Sequence, residues 1–92
     1  MLSQIPTNLS KLKKEEIDKE IARLGMIAEL DAINLYEQMA YLTESKDLRE
    51  ILLDIAKEEK THMGEFQTLL LRLDKEQEKE LEEGKKEVNE KI

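Results

Sequence analysis

Apolar residues between positions 11 and 43 recur every three or four residues, which is the period of an α-helix. One stripe runs through Ala22, Met26, Ile33, Tyr36 and Ala40, and a second runs through Ile17, Ile21, Leu24, Ala28, Leu35 and Leu42. One neighbouring helix covers only one of these stripes. The pattern therefore predicts a first long helix over about residues 11–43 and favours a second chain as the cover for its other side.

A second helix is predicted over about residues 46–74, after the polar break TESKD at residues 43–47. Ser45 or Asp47 can cap this helix, and Asp47 followed by Glu50 has the spacing of a capping box. Because the connection is short, we expect the two helices to lie antiparallel as neighbours. The predicted fold class is all-α: an antiparallel two-helix hairpin with a short C-terminal helix or tail, pairing with a second chain into a four-helix bundle.

The pattern divides the chain into three parts. Residues 1–10 are predicted to be a short irregular lead, and residues 11–74 form the helical hairpin. Residues 75–92 are nearly all charged, contain Gly84 and lack apolar periodicity, so they are expected to be a solvated helix, a linker or the start of a further segment.

The composition limits the ways in which so short a chain can be stabilised. With 92 residues the core is thin, and such chains usually gain stability from disulfides, metals or oligomerisation. The sequence contains no cysteine, which excludes disulfides and thiolate metal sites and leaves a metal or a partner chain.

Charge and hydropathy limit the partners. A net charge of −7 argues against nucleic acid and anionic membranes and is compatible with attracting cations. The N-terminus has no apolar leader segment, and no apolar run approaches the roughly 20 residues of a membrane span. We therefore expect a soluble, cytoplasmic protein.

Acidic residues interrupt the apolar sides of both predicted helices. In IAKEEKTHMGEF, residues 55–66, helical spacing places Glu59 and His62 on the apolar side of the second helix, and Glu29 lies within the first stripe of the first helix. Glu29 and Glu59 each lie fifteen residues from Glu44, near the centre of the turn. In an antiparallel hairpin, the two carboxylates are therefore expected at the same level.

Two carboxylates buried side by side cost several kcal/mol unless a cation or proton compensates them. Di-iron carboxylate bundles use a Glu from each of two helices and a Glu-x-x-His from each of two others. This chain supplies one helix of each kind through Glu29, Glu59 and His62, which is half a site. A two-fold dimer would complete it around two metal ions, with Fe(II) or Mn(II) suited to mixed carboxylate and imidazole ligands and Zn(II) a competitor.

The same residues allow other interpretations. A lone histidine on a helix is more often structural than a ligand, and glutamates usually solvate a surface. Glu58 could replace Glu59, because it lies four residues before His62, but its helix face is more polar, so Glu59 is preferred. Tyr36 could pack in the core with its hydroxyl satisfied.

The segment AELDAINLYEQMAYLTESKDLREILLDIAKEEKTHMGEF, with Glu59 thirty residues after Glu29 and then His62, resembles the encapsulated ferritins. These are two-helix ferritin-like proteins held inside encapsulin shells, and the resemblance covers about residues 10–75. It implies a ferroxidase that oxidises Fe(II) with O2 at a di-iron centre across a dimer interface. It also implies a ring-shaped decamer, a pentamer of dimers, inside an encapsulin nanocompartment that stores the iron mineral.

The resemblance assigns roles residue by residue. The positions that match the family's iron ligands are Glu29, Glu59 and His62. Tyr36 matches a tyrosine near the centre, and Asp31 matches one of two acidic positions that help metal to enter, while Ala28 occupies the other. The tail lacks the shell-targeting peptide of free cargo members, so either the chain ends before such a peptide or it is naturally fused to the shell protein.

Two other functions fit the sequence. A structural hairpin would oligomerise through its apolar stripes without catalysis, with its acids paired to Lys or Arg across the interface. A rubrerythrin-like protein would use the same di-metal site to reduce peroxide, although such proteins usually add a rubredoxin domain with cysteines, and this chain has none.

Overall fold

The computed structural model describes residues 13–92, which form three α-helices and no strand. The helices are α1, Lys14–Leu42, α2, Lys46–Leu73, and α3, Lys75–Lys91. The all-α prediction is confirmed, and the first two helices each end one residue before the predicted limit. The predicted irregular lead, residues 1–10, and positions 11 and 12 of the predicted first helix lie outside the described residues. Lys13, which was predicted to be helical, is instead the extended N-cap of α1.

The turn between α1 and α2 is closed by side chains at residues 43–49. Ser45 is the N-cap of α2, and its Oγ accepts a hydrogen bond of 3.1 Å from the backbone N–H of Leu48. Asp47 lies within the first turn, so the predicted capping box from Asp47 to Glu50 is wrong and the alternative cap is correct. Arg49 of α2 donates to the carbonyls of Ala40 and Thr43, which satisfies acceptors that the end of α1 leaves free.

Helices α1 and α2 are antiparallel, as predicted. Arg23 pairs with Asp74 at 2.8 Å, and Glu37 pairs with Lys60 at 2.9 Å. As the residue number on α1 rises from 23 to 37, the number of its partner falls from 74 to 60, which is the order of an antiparallel pair. The hairpin places the middle of α1 against the middle of α2.

The core between α1 and α2 is narrow. Its buried apolar side chains among the described residues are Ala22, Ile33, Ala40, Leu52, Ala56 and Leu70. Half of them are alanines, which allow the helices to approach closely but bury little apolar area. A core of this size leaves much of the apolar sequence without cover.

One side of the hairpin keeps an exposed apolar surface, which we call the uncovered face. It consists of Ile21 and Leu35 from the second stripe of α1 and Leu48, Ile51, Leu69 and Leu73 of α2. Ile21, Leu69 and Leu73 line one groove of about 370 Å³, which shows that both helices contribute to this side. Exposed apolar surface to which two helices both contribute is typical of an interface between chains.

Asp74 joins the hairpin to α3. Its Oδ1 accepts from the backbone N–H of Gln77 at 3.0 Å, which caps α3, and its Oδ2 accepts from Arg23 of α1 at 2.8 Å. These hydrogen bonds, first of all the one from Gln77, together with the positive charges of Lys19 and Arg23, lower the pKa of the Asp74 carboxyl against the opposing effect of partial burial.

We expect Asp74→Asn to remove a pH-dependent part of the stability. Because the folded-state pKa of Asp74 lies below its ordinary value, its stabilising contribution is complete above about pH 4 and is lost as the pH falls through the folded-state pKa. The free energy of unfolding in urea is measured for the wild-type protein and for Asp74→Asn from pH 6 to pH 2. The excess stability of the wild-type protein should shrink as the pH falls. An advantage that stays constant over this range would contradict the assignment.

Candidate metal centre

Three side chains from the two long helices converge at the middle of the hairpin. Glu29 comes from α1, and Glu59 and His62 come from successive turns of α2. One ligand atom from each of the three lies within 4.8 Å of the other two. The expected meeting of the two carboxylates and the imidazole at one level is therefore present in the fold.

The contacts within this group are too long for hydrogen bonds. Nδ1 of His62 lies 3.6 Å from Oε2 of Glu29 and 3.6 Å from Oε2 of Glu59. The side chains of Glu29 and Glu59 are 17% and 20% exposed, whereas that of His62 is 45% exposed. The acids thus lie in the interior of the group, and the imidazole forms its outer edge.

The donor types and the two His62 contacts fit one cation. Oε2 of Glu29 is buried and lacks a hydrogen-bond partner among the described residues. Two ligand atoms that each bind one ion at about 2.1 Å lie at most about 4.2 Å apart, and the contacts of 3.6 Å fall within that limit. A divalent cation would both satisfy the unpartnered oxygen and offset the charge of two neighbouring carboxylates.

Two basic side chains of the hairpin pair with acids outside the group. Lys60, next to Glu59 in the sequence, pairs with Glu37 at 2.9 Å, and Arg23 pairs with Asp74. Within residues 13–92, the ion pairs that include Glu29 or Glu59 are both with His62. Lysine and arginine of the hairpin itself therefore leave the two carboxylates uncompensated.

The other candidate residues lie outside this group. Glu58 is exposed, whereas Glu59 is turned inward, as the apolar stripe indicated. Tyr36 is half-buried on the Glu29 side of α1 but lies seven residues farther along, about 10 Å in helix length. Asp31 is also half-buried, but a spacing of two residues turns it away from Glu29. A role for Asp31 in metal entry therefore requires a path other than the gap between α1 and α2.

A contact next to the group was not predicted from the sequence. The ring of Phe66 lies against the backbone of Gly25, one helical turn from the His62 and Glu29 contact. The available signal was a glycine inside a long helix, which costs roughly 0.5–1 kcal/mol relative to alanine and so indicates a packing reason.

None of the helices in residues 13–92 has the continuous apolar length that a membrane crossing requires.

Comparisons with known proteins identify relatives of this chain. A family model described as EncFtn-like matches residues 4–87. The chain is 58% identical over 93 residues to a ferritin-like–encapsulin shell fusion protein of Pyrococcus furiosus, covering 98% of this chain and 27% of that protein. It is 41% identical over 71 residues to the encapsulin nanocompartment cargo protein EncC of Myxococcus xanthus, covering 74% of this chain and 55% of that protein.

A solved structure has the same fold. The crystal structure of the encapsulated ferritin domain from Pyrococcus furiosus matches with a TM-score of 0.83 at 55% identity, covering 96% of this chain and 88% of that one. The chain thus spans about a quarter of the fusion protein and about half of the cargo protein.

Proposed function

Because this chain belongs to the EncFtn-like family, as its sequence pattern indicated, we propose that it is a ferroxidase that oxidises Fe(II) to Fe(III) with O2. The iron would then be stored inside an encapsulin nanocompartment in the cytoplasm, since the two curated relatives are an encapsulin shell fusion and an encapsulin cargo protein. The observation that carries the proposal is the convergence of Glu29, Glu59 and His62 around an unpartnered carboxylate oxygen.

The three residues would act as the iron ligands and the catalytic group. Glu29 and Glu59 supply negative charge that stabilises Fe(III) more than Fe(II), which favours oxidation. His62 presents Nδ1 to the carboxylates, so this ring nitrogen would be the donor to an ion held between them. When two Fe(II) ions are bound, they supply the two electrons that convert O2 and two protons to H2O2.

A second copy of the chain would complete the site. His62 lies in a row of α2 side chains spaced seven residues apart, with Leu48, Ile55 and Leu69. Leu48 and Leu69 belong to the uncovered face, so the 45% exposed imidazole opens on the same side. A two-fold dimer through this face would bring two sets of ligands together and cover the apolar side chains.

The dimer is the unit that we propose for the metal site. Two chains contribute four glutamates and two histidines, which is the ligand set of a di-iron bundle. Iron is the proposed native metal, with Mn(II) or Zn(II) as possible substitutes. Five dimers in a ring would give the decamer that family resemblance implies, and the encapsulin shell is the proposed outer partner.

Iron counting on the isolated protein tests this function. Size-exclusion chromatography with light scattering is run on metal-free chain before and after anaerobic Fe(II) addition, and O2 is then admitted while its consumption is recorded. We expect about one iron per chain, recovered only with dimers or larger assemblies, followed by rapid oxidation. The control is the same O2 consumption measured with Fe(II) in buffer alone.

Two outcomes would favour the other functions. An unchanged oligomer that carries no iron would leave a structural hairpin as the better account. Faster turnover of the reduced protein with H2O2 than with O2 would favour a rubrerythrin-like peroxide reductase.

A further inference from the structure

Gly25 and Phe66 form an unusually close contact between α1 and α2. A Cβ atom placed on Gly25 would lie 2.6 Å from both Cδ1 and Cε1 of the Phe66 ring and 2.7 Å from its Cγ. Carbon atoms in ordinary contact lie about 3.5–4.0 Å apart. The ring therefore occupies the space that any side chain at position 25 would need.

This contact lies next to the candidate metal centre on both helices. Gly25 lies four residues before Glu29 on α1, and Phe66 lies four residues after His62 on α2. Residues four apart share a helix face, and because the helices are antiparallel, the two contacts are adjacent, separated by about 6 Å along the helix axes.

We propose that Gly25 and Phe66 are positioning residues for this metal centre: the ring seated on the glycine sets the separation of α1 and α2 at which Glu29 and His62 share one ion. The inference rests on the metal-binding function proposed above. It explains a helix-interior glycine that otherwise costs stability, because only glycine lets the ring approach the α1 backbone.

A side chain at position 25 would clash with the Phe66 ring, and the movement that relieves this clash would also displace the candidate ligands. Rotation of the ring about its own axis leaves Cγ in place, and Cγ is one of the three atoms in the overlap. A phenylalanine in a helix has few alternative χ1 rotamers, and the step from 2.6 Å to an ordinary contact of about 3.5 Å is about 0.9 Å, so we expect α1 and α2 to separate or slide by a distance of that order. Ligand sets tolerate displacements of only about 0.5 Å.

The test uses Co(II) as the probe, because its visible absorption reports ligand geometry without any turnover. We expect Gly25→Ala to weaken Co(II) binding by about 10-fold or more and to alter the absorption band. The matched control is Gly64→Ala on α2, where a Cβ meets no atom within 4 Å. This control should keep its Co(II) affinity to within about 2-fold.

A double variant identifies the cause. Gly25→Ala combined with Phe66→Ala removes the ring from the overlap but also removes the spacer between α1 and α2, so we expect it to recover part of the affinity lost in Gly25→Ala but not the wild-type affinity or band. Circular dichroism and light scattering report the fold and assembly of each variant. If Gly25→Ala does not fold, the double variant decides: a folded chain that binds Co(II) supports the proposal, and a folded chain that does not bind overturns it.

Other results overturn the inference directly. Wild-type affinity and spectrum in Gly25→Ala would show that the contact does not position the ligands. A double variant as weak as Gly25→Ala would show that the loss does not arise from the ring. Failure of the wild-type chain itself to bind Co(II) would instead contradict the proposed metal-binding function, so the two failures are distinguishable.

Discussion

Glu59→Ala and His62→Ala are each expected to lower the rate of Fe(II) oxidation by at least about 100-fold, because each removes one donor from a set of three in each chain. Loss of Glu59 also removes half of the negative charge that Glu29 and Glu59 place around the ion. The measurement is the initial rate of Fe(III) formation, followed by absorbance after O2 is mixed with anaerobically loaded protein.

Glu58→Ala is the matched control for Glu59→Ala. Glu58 is the adjacent glutamate on the same helix, but it is exposed and lies outside the group of ligand atoms. We expect this variant to oxidise Fe(II) at the wild-type rate. A loss in Glu58→Ala with full activity in Glu59→Ala would show that the wrong glutamate had been chosen as the ligand.

The stability of the metal-free Glu59→Ala variant shows whether a loss of Fe(II) oxidation arises from the missing ligand or from misfolding. In the metal-free chain, Glu59 places a second, largely buried carboxylate beside an unpartnered oxygen of Glu29, which is unfavourable. In the presence of a chelator, Glu59→Ala should therefore unfold at the same or a higher urea concentration than the wild-type chain. Lost oxidation together with a lower unfolding midpoint would indicate a structural role instead.

Leu69→Lys is expected to convert the assembly to monomers and to abolish tight metal binding, although all three ligands remain. Leu69 is 50% exposed in the single chain, so a lysine at this position extends into water without disturbing the hairpin. In a dimer formed through the uncovered face, the same ammonium group would be buried among apolar side chains at a cost of several kcal/mol. Light scattering and bound iron per chain measure the two effects.

Leu53→Lys is the control for this substitution. Leu53 is also on α2 and is 47% exposed, but its position around the helix places it away from His62 and the uncovered face. It should retain the metal-binding dimer. Full iron loading by a monomeric Leu69→Lys chain would contradict the half-site interpretation, because one chain would then be sufficient.

The sequence was sufficient to predict the hairpin because the signals are periodic and local. Apolar spacing defined the end of α1 and both ends of α2 to within about a residue, whereas α1 begins about three residues later than predicted, and the short polar break favoured an antiparallel pair. The sequence left two candidates for the N-cap of α2, because Ser45 and Asp47 are both good N-cap residues, and only the path of the chain selects Ser45. The charged residues 75–92 have no apolar period, so the pattern did not distinguish a helix from a linker there. In the structure, Lys75–Lys91 form α3, which is capped by Asp74.

The candidate ligands were also accessible from the sequence, through symmetry about the turn. Equal distances from Glu44 along two antiparallel helices place Glu29 and Glu59 at one level, and helical spacing adds His62 to the same side. Helical spacing gives the direction in which each side chain leaves the helix axis, and this is enough to distinguish neighbouring residues. It is sufficient to prefer Glu59 to Glu58, but it contains no distance between helices.

The sequence by itself thus determined the helices, their antiparallel order and the face that carries the acids. Only the tertiary structure decided that His62 Nδ1 lies 3.6 Å from both carboxylates, that one oxygen of Glu29 is buried without a partner, and that Phe66 is seated on Gly25. The physical reason is that periodicity follows from the geometry of one helix, whereas the separation of two helices follows from how the side chains of both pack together.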